Sequence, residues 1–417
     1  MLARAVADCA WRLNKDCDCR LKGGTVRSVS AGILAVVFFG VLSLESIAQQ
    51  RGQGAIPVGG LTPAQQLDFN DGSRAFARDY RVEDGLGPVF NDESCGDCHR
   101  NGGGSNRTVR RFGRIDERGD FDRLAELGGS LIQARGIGSI TTVDGTHDFI
   151  GEDVPVESTV TTRRRSHSIL GMGFVDAVPD AVWQALANEE AAANPETAGR
   201  VNIVLDLSTG RAAVGKFGWK AQVPTLVQFS ADALLNELGI TNPLFPDESC
   251  PQGDCFALGF NPAPAVNDNG TDVEAIATFM TMLAAPPRGA ITEEAAAGEE
   301  VFLQIGCATC HRATLRTGPS AIRALNRAEF HPYSDFLLHD MGSLGDGISQ
   351  GQATGREMRT QPLWGLRTLN RFMHDAQSRT LEDAIRRHDG QARAARDQFV
   401  DLDAERVALL LAFLRSL

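Results

Sequence analysis

Two pentapeptides carry most of the chemistry written into this 417-residue chain: CGDCH at residues 95 to 99 and CATCH at residues 307 to 311. A C-x-x-C pair alone suits half a zinc site, a redox dithiol or a tight disulfide. A histidine directly after the second cysteine narrows the reading to covalent haem c attachment. The two thiols add across the haem vinyl groups and the adjacent imidazole takes the proximal position on iron. Zinc would require both pairs to meet and would leave two histidines idle. The expectation is therefore two covalently attached haem c groups, one on Cys95, Cys98 and His99, the other on Cys307, Cys310 and His311, with His99 and His311 as iron ligands. Cys250 and Cys255, in SCPQGDC, have no following histidine and read as a local disulfide that closes a loop.

The elements that must position these groups read as helices. TEEAAAGEEVFLQIG (292 to 306) opens on a Thr cap with acidic first-turn residues and runs into CATCH. DAERVALLLAFLRSL (403 to 417) sets Val407, Leu410, Leu411, Leu414 and Leu417 at helical spacing behind an Asp403 cap, which suits a C-terminal helix packed across the first. LTPAQQLDFNDGSRAFARDY (61 to 80) is a third helix, ahead of CGDCH. Gly, Pro and Asn fill 84 to 106 and 240 to 272, so long loops are expected, and strand signal is thin.

The first 48 residues differ from the rest. Arg20, Lys22 and Arg27 precede the uncharged run AGILAVVFFGVLSL (31 to 44), then the small-x-small Ser46-Ile47-Ala48, the anatomy of a secretory signal cleaved after Ala48. The run spans about 21 Å as helix, short of a hydrocarbon core of about 30 Å. Counted as 28 to 44, it serves as an alternative membrane tether. An exported chain points to the periplasm, and its cysteines must each have a role in an oxidising compartment. Without the leader, 35 basic and 49 acidic residues remain. That acidic surface argues against nucleic acid and suits solubility or a basic protein partner.

A faint repeat follows the haem motifs. Arg165-Ser166-His167-Ser168-Ile169-Leu170-Gly171 comes after CGDCH, and Arg359-Thr360-Gln361-Pro362-Leu363-Trp364-Gly365 after CATCH, as one duplicated haem unit would give. An iron with both axial positions filled shuttles electrons; one with an open position binds peroxide or another small ligand. TLEDAIRRH (380 to 388) reads as a Thr-capped helix with Leu381, Ile385 and His388 on one face, which offers His388 as a distal ligand of the C-terminal haem. Met341, in HDMG, is the other candidate. The equivalent offset in the first half falls on Asn194, in a segment without His, Met or Lys, so the two haems are expected to be differently ligated.

Several further stretches, in order from Leu61 to Leu417, resemble one family. They are SRAFARDYRVEDGLGPVFNDESCGDCH, KFGWKAQVPTLVQFSADALLNELGITNPLF, YSDFLLHDMG, EMRTQPLWGL and FMHDAQSRTLEDAIRRHDG. Together they are similar to the bacterial di-haem c-type oxidoreductases, labelled thiol oxidoreductases or di-haem cytochrome c peroxidase-like proteins. The resemblance implies a mainly α fold: two cytochrome c-like helical domains with long loops, here 49–285 and 286–417 after the 1–48 leader. In the peroxidase relatives the distal ligand of the electron-accepting haem lies 14 residues past a histidine that Phe372-Met373-His374-Asp375 matches, which again gives His388. A Trp between the haems carries electrons, and Phe217-Gly218-Trp219 resembles its segment. A Gln and a Glu line the peroxide pocket; Gln228 is a loose match to the first, and Asn236-Glu237-Leu238-Gly239 resembles the segment of the second. With Arg165 these make the candidate catalytic set: Glu237, Gln228, Trp219 and Arg165. Where the family tends to show R-x-P-P-L-x-G-L-G, this chain has His167, a candidate distal ligand or acid beside the first haem. His147, in the loop DGTHDF, is another.

The function these readings imply is an exported di-haem enzyme. It would reduce hydrogen peroxide at the N-terminal haem with electrons received through the C-terminal haem from a small cytochrome c or cupredoxin-like donor. The alternatives are a non-catalytic di-haem electron carrier and an enzyme that oxidatively modifies a partner protein. A calcium site, common in the peroxidases, has no residues that mark it in the sequence.

Overall fold

The computed structural model describes residues 55–143, 145–253, 263 and 265–417. The leader, the tether at 28–44, the cleavage position at Ala48, and Cys255 lie outside these residues. Among the described residues no helix is long and apolar enough to cross a membrane.

Two packed helix pairs lie beside the C-x-x-C-H motifs. Helix Pro63–Phe76 starts at a reciprocal cap, in which the Thr62 hydroxyl accepts from Gln65 N and the Gln65 side chain returns to Thr62 N. It packs on helix Thr271–Met282. Helix Glu293–Gln304, capped by Thr292, packs on helix Ala404–Ser416, capped by Asp403. Each crossing is set by a glycine on the helix that precedes a C-x-x-C-H motif. A methyl group on Gly72 would overlap the Ala275 carbonyl, and one on Gly298 the Leu409 carbonyl. Gly298→Val is therefore expected to cost about 1–3 kcal/mol through overpacking, read as a lower thermal midpoint; an unchanged midpoint would mean the helices part without penalty.

The expectation of a mainly α fold of two cytochrome c-like helical domains is not met. Helix makes up 36% and strand 17% of the described residues, in several small antiparallel sheets. Strand Thr108–Ile115 pairs with Val160–Arg165 and Phe121–Asp122; Gly138–Thr142 pairs with Gly145–Phe149; Asn202–Asp206 with Arg211–Gly215; and Leu338–Asp340 with Glu357–Arg359. These strands escaped the periodicity reading because segments such as TVRRFGRI and VTTRRR are rich in arginine and lack clean alternation. The partner of Thr108–Ile115 at Val160–Arg165 also lies tens of residues away, where local pattern carries no information. The larger hydrophobic cluster joins Trp183, Leu234 and Phe279 with Phe330, Phe336 and Trp364 from beyond residue 286; a second gathers Phe302, Leu410 and Phe413 behind CATCH.

Candidate functional site: two thiol–imidazole turns and a half-buried tryptophan

Each C-x-x-C-H motif is wound into one tight turn. Ser94 caps the short helix Cys95–Cys98 by accepting from Gly96 N, and His99 N donates to Cys95 O at 3.0 Å. At the other motif His311 N donates to Cys307 O, also at 3.0 Å. All four cysteines are free thiols, whereas Cys250 is disulfide-bonded. Burial pushes the Cys95 and Cys307 thiols up to about 12, so they stay protonated rather than serving as surface redox thiolates.

The second turn opens on a cavity of about 620 Å³ lined by Cys307, Cys310, His311 and His388. His311 Nδ1 lies 2.9 Å from Tyr333 O, and His388 Nδ1 2.9 Å from Ala384 O. Each imidazole is thus tied through Nδ1 to a backbone carbonyl, which leaves Nε2 as the free ligating atom. The two ring centroids are 6.5 Å apart, with the rings inclined at 61°. Burial lowers His311 to about 4 and lowers His388 as well, so both are neutral and competent ligands. The helix that was to carry His388 ends earlier than its pattern suggests, at Arg386. His388 follows it, returned toward the cavity by the Ala384 bond. Met341 lines the same cavity. His388→Gly is expected to shift the absorption bands of the C-terminal haem alone, toward a weaker-field ligand; an unchanged spectrum would reject His388 as ligand.

The first turn is built differently. Burial lowers His99 to about 4, and the ring stands edge-on to Phe76 at 6.2 Å. The glycines after it let the chain lie directly on the 166–168 backbone: a methyl on Gly104 would meet Ser166 O and Ser168 N. The main chain of His167 and Gly103 lies against the His99 ring. The His167 imidazole stacks on Trp219 at 4.4 Å between centroids. His147 sits on strand Gly145–Phe149, not in a loop, paired with Ile140. Asn194, the offset equivalent of the distal ligand, lies on a turn whose carbonyls at Glu196 and Ala198 are held by Gln391, and it lines the His311–His388 cavity.

Glu237 is brought to CGDCH from more than a hundred residues away. Its main-chain oxygen accepts from Asn91 N at 2.7 Å and its carboxylate from Asn91 Nδ2 at 2.8 Å, four residues before Cys95. Burial raises its pKa, against the pull of Arg111 and the Asn91 bond, and its charge reaches both Cys95 and Cys98. Asp232, also raised by burial, shares Arg111 with it. Gln228 is elsewhere: its amide accepts from Leu207 N and donates to Leu205 O, which commits it to the Asn202–Asp206 strand and its turn.

Trp219 is the centre of the region between the motifs. Its Nε1 donates to Arg165 O at 3.0 Å, its own carbonyl accepts from Arg359 N at 2.9 Å, and His374 approaches its ring at 6.1 Å. Beneath it, Lys220 Nζ meets Asp346 at 3.0 Å and Arg164 meets the same carboxylate at 2.6 Å, all deeply buried. Sequence reading missed Arg111 and this ion cluster, and gave Arg359 and His374 no role beyond their motifs. The one available signal was that Arg359 heads the second repeat as Arg165 heads the first.

The free thiol pairs, the Nδ1-anchored histidines and the cavity between His311 and His388 fit haem. Residues 148–417 match the family model of the di-haem oxidoreductases. No curated protein sequence matches the chain. Among solved structures, the fold is similar to a hydrazine synthase of Kuenenia stuttgartiensis, at 14% identity and TM-score 0.35, covering 88% of this chain and 96% of that one. It is similar to a MauG-like protein associated with microbial copper homeostasis, at 17% identity and TM-score 0.38, covering 87% and 91%. It is also similar to the diheme peroxidase BthA from Burkholderia thailandensis E264, at 15% identity and TM-score 0.39, covering 86% and 87%.

Proposed function

Since the chain belongs to the di-haem oxidoreductase family, we propose that it is an exported di-haem c-type enzyme that reduces hydrogen peroxide at its N-terminal haem. Electrons reach that site through the C-terminal haem from a small donor protein of the cytochrome c or cupredoxin kind, in the periplasm. Cys95, Cys98 and His99 hold one haem, and Cys307, Cys310, His311 and His388 the other, with thioether bonds through the four thiols. When bound, haem supplies one-electron redox chemistry and, where a coordination position is open, a place for peroxide.

The observation that carries this reading is the unequal setting of the two proximal histidines. His311 has a second Nδ1-anchored imidazole, His388, at 6.5 Å between centroids, whereas the turn of His99 has the half-buried carboxyl of Glu237 beside it, held by Asn91. The first arrangement suits electron entry and the second proton handling. Peroxide reduction consumes two electrons and two protons per peroxide and yields two waters. A carboxyl raised by burial can take the proton from one peroxide oxygen and return it to the departing one. Asn91 fixes the carboxylate in place, and Arg111 balances its charge when ionised. Trp219, held at both ends by hydrogen bonds, is the bridging aromatic for electrons.

The test is spectroscopic and kinetic together. The half-reduced protein should give a high-spin ferric signal from one haem and turn over peroxide with a reduced donor. Two low-spin haems in every redox state, inert to peroxide and cyanide, would instead favour the plain electron carrier and overturn the enzyme.

A further inference from the structure

Two buried guanidinium groups in the cavity have no carboxylate to pair with. Arg359 is 4% exposed and Arg165 7%, and both line the space that also holds His311 and His388. Arg359 Nε donates to Gly218 O at 2.7 Å and one terminal nitrogen to Gln361 Oε1 at 3.0 Å, while the other terminal nitrogen is buried without a partner. Arg165 donates to the Arg371 carbonyl. Desolvation lowers Arg359 to about 9, relieved only by Asp335, which is itself bound to His339 at 2.8 Å; for Arg165, desolvation is the sole influence.

A buried cation without a counter-ion costs several kcal/mol, so two of them bonded to the same Gly218–Trp219 segment of a mostly apolar cavity call for anionic groups from whatever fills it. The occupant must offer two carboxylates at one edge and an apolar body at the other. Haem has that distribution, with two propionates on one edge. Resting on the haem reading above, we infer that Arg359 and Arg165 are the carboxylate anchor of the C-terminal haem, with Arg359 the principal contact through its unpartnered terminal nitrogen. Arginine suits the task because its planar fork meets a carboxylate with two parallel N–H donors. Both anchors also hold the Gly218–Trp219 segment, Arg359 through Gly218 O and Trp219 O, Arg165 through the indole Nε1. Both guanidinium-bearing residues are thereby held beside the tryptophan. The repeated motif acquires a reason in this arrangement: its leading arginine, in each half, supplies charge to the cavity and backbone to Trp219.

The experiment uses the mature di-haem protein. Resonance Raman scattering of the propionate bending band and the midpoint potential of the C-terminal haem are measured in wild type, R359L and R359K. Losing a cation beside the haem disfavours adding an electron, so R359L should lower the potential of the C-terminal haem, shift its propionate band and leave the N-terminal haem unaltered. R359K should keep the potential near that of wild type. If R359L does not mature, R359Q takes its place, since its amide keeps a hydrogen bond to Gly218 O without the charge. A haem present at CATCH whose band and potential ignore loss of the charge would overturn the anchor alone. A wild-type protein with no haem at CATCH would overturn the functional reading beneath it.

Discussion

Exchanging Glu237 for Gln is expected to lower peroxide turnover by about 10²–10⁴-fold, the range lost when a positioned general acid–base is removed, while both haem spectra stay as they are. The substitution keeps the size of the side chain and an oxygen able to accept from Asn91 Nδ2. Proton transfer is lost. Glu237 is suited to that transfer because burial raises its pKa, so its protonated form persists to higher pH than that of an exposed carboxyl. The measurement is steady-state turnover with a reduced donor, alongside cyanide binding to show that ligand access is intact. Wild-type turnover in E237Q would remove Glu237 from the chemistry and pass the role to Asp232, which shares Arg111 with it.

The second large effect concerns stability. Asp346→Asn should destabilise the fold by about 3–5 kcal/mol, the cost of leaving a buried charge without its partner. Both Arg164 and Lys220 would lose their common carboxylate, and their side chains are 4% and 0% exposed. Lys220 would keep only the carbonyls of Thr354, Gly355 and Glu357. Denaturant unfolding at neutral pH reads the loss directly, and a midpoint equal to wild type would show the cluster to be solvated. Replacing all three residues by apolar side chains of matching volume should recover much of the loss, because a filled apolar site has no charge to desolvate. The same cluster sets an acid limit. Burial alone would raise Asp346, but Arg164 and Lys220 overcome it and hold the carboxyl at about 2 against an ordinary 3.8. A depressed folded-state pKa means stability that is fully present above 3.8 and lost as pH falls toward 2. Lys220 runs the other way: burial lowers it to about 8 from 10.5, so its charging opposes folding at neutral pH, and that opposition fades as pH rises from 8 to 10.5. Since Lys220 adjoins Trp219, damage here should also disturb the bridging tryptophan before the haem turns themselves.

What the chain declares by itself is what depends on neighbouring residues. The C-x-x-C-H turns need only five consecutive residues, so both are legible without a fold. Caps at Thr62, Thr292, Thr380 and Asp403 are equally local, a side-chain oxygen accepting from a backbone N–H within three residues. The helices they begin were all foreseen, and so was the packing of 404–416 across 293–304.

Everything that distinguishes the two haem settings was decided by closure over long separations. Strand Thr108–Ile115 finds its partner at Val160–Arg165, a pairing fixed by which faces can be buried together, and the resulting sheets turned an expected helical fold into a mixed one. The same closure carried Glu237 to Asn91, sent Gln228 to a distant hairpin, and moved Asn194 to the opposite haem from the one its spacing implied. It also gathered Arg164, Lys220 and Asp346, whose charges are tolerable only together. Spacing along the chain records a duplication. It does not record where a chain of this length folds back, because burial and charge pairing are settled among all elements at once. The two thiol–imidazole turns are written in adjacent residues, whereas the side chains that surround each turn come from elements far apart in the chain and are chosen by folding.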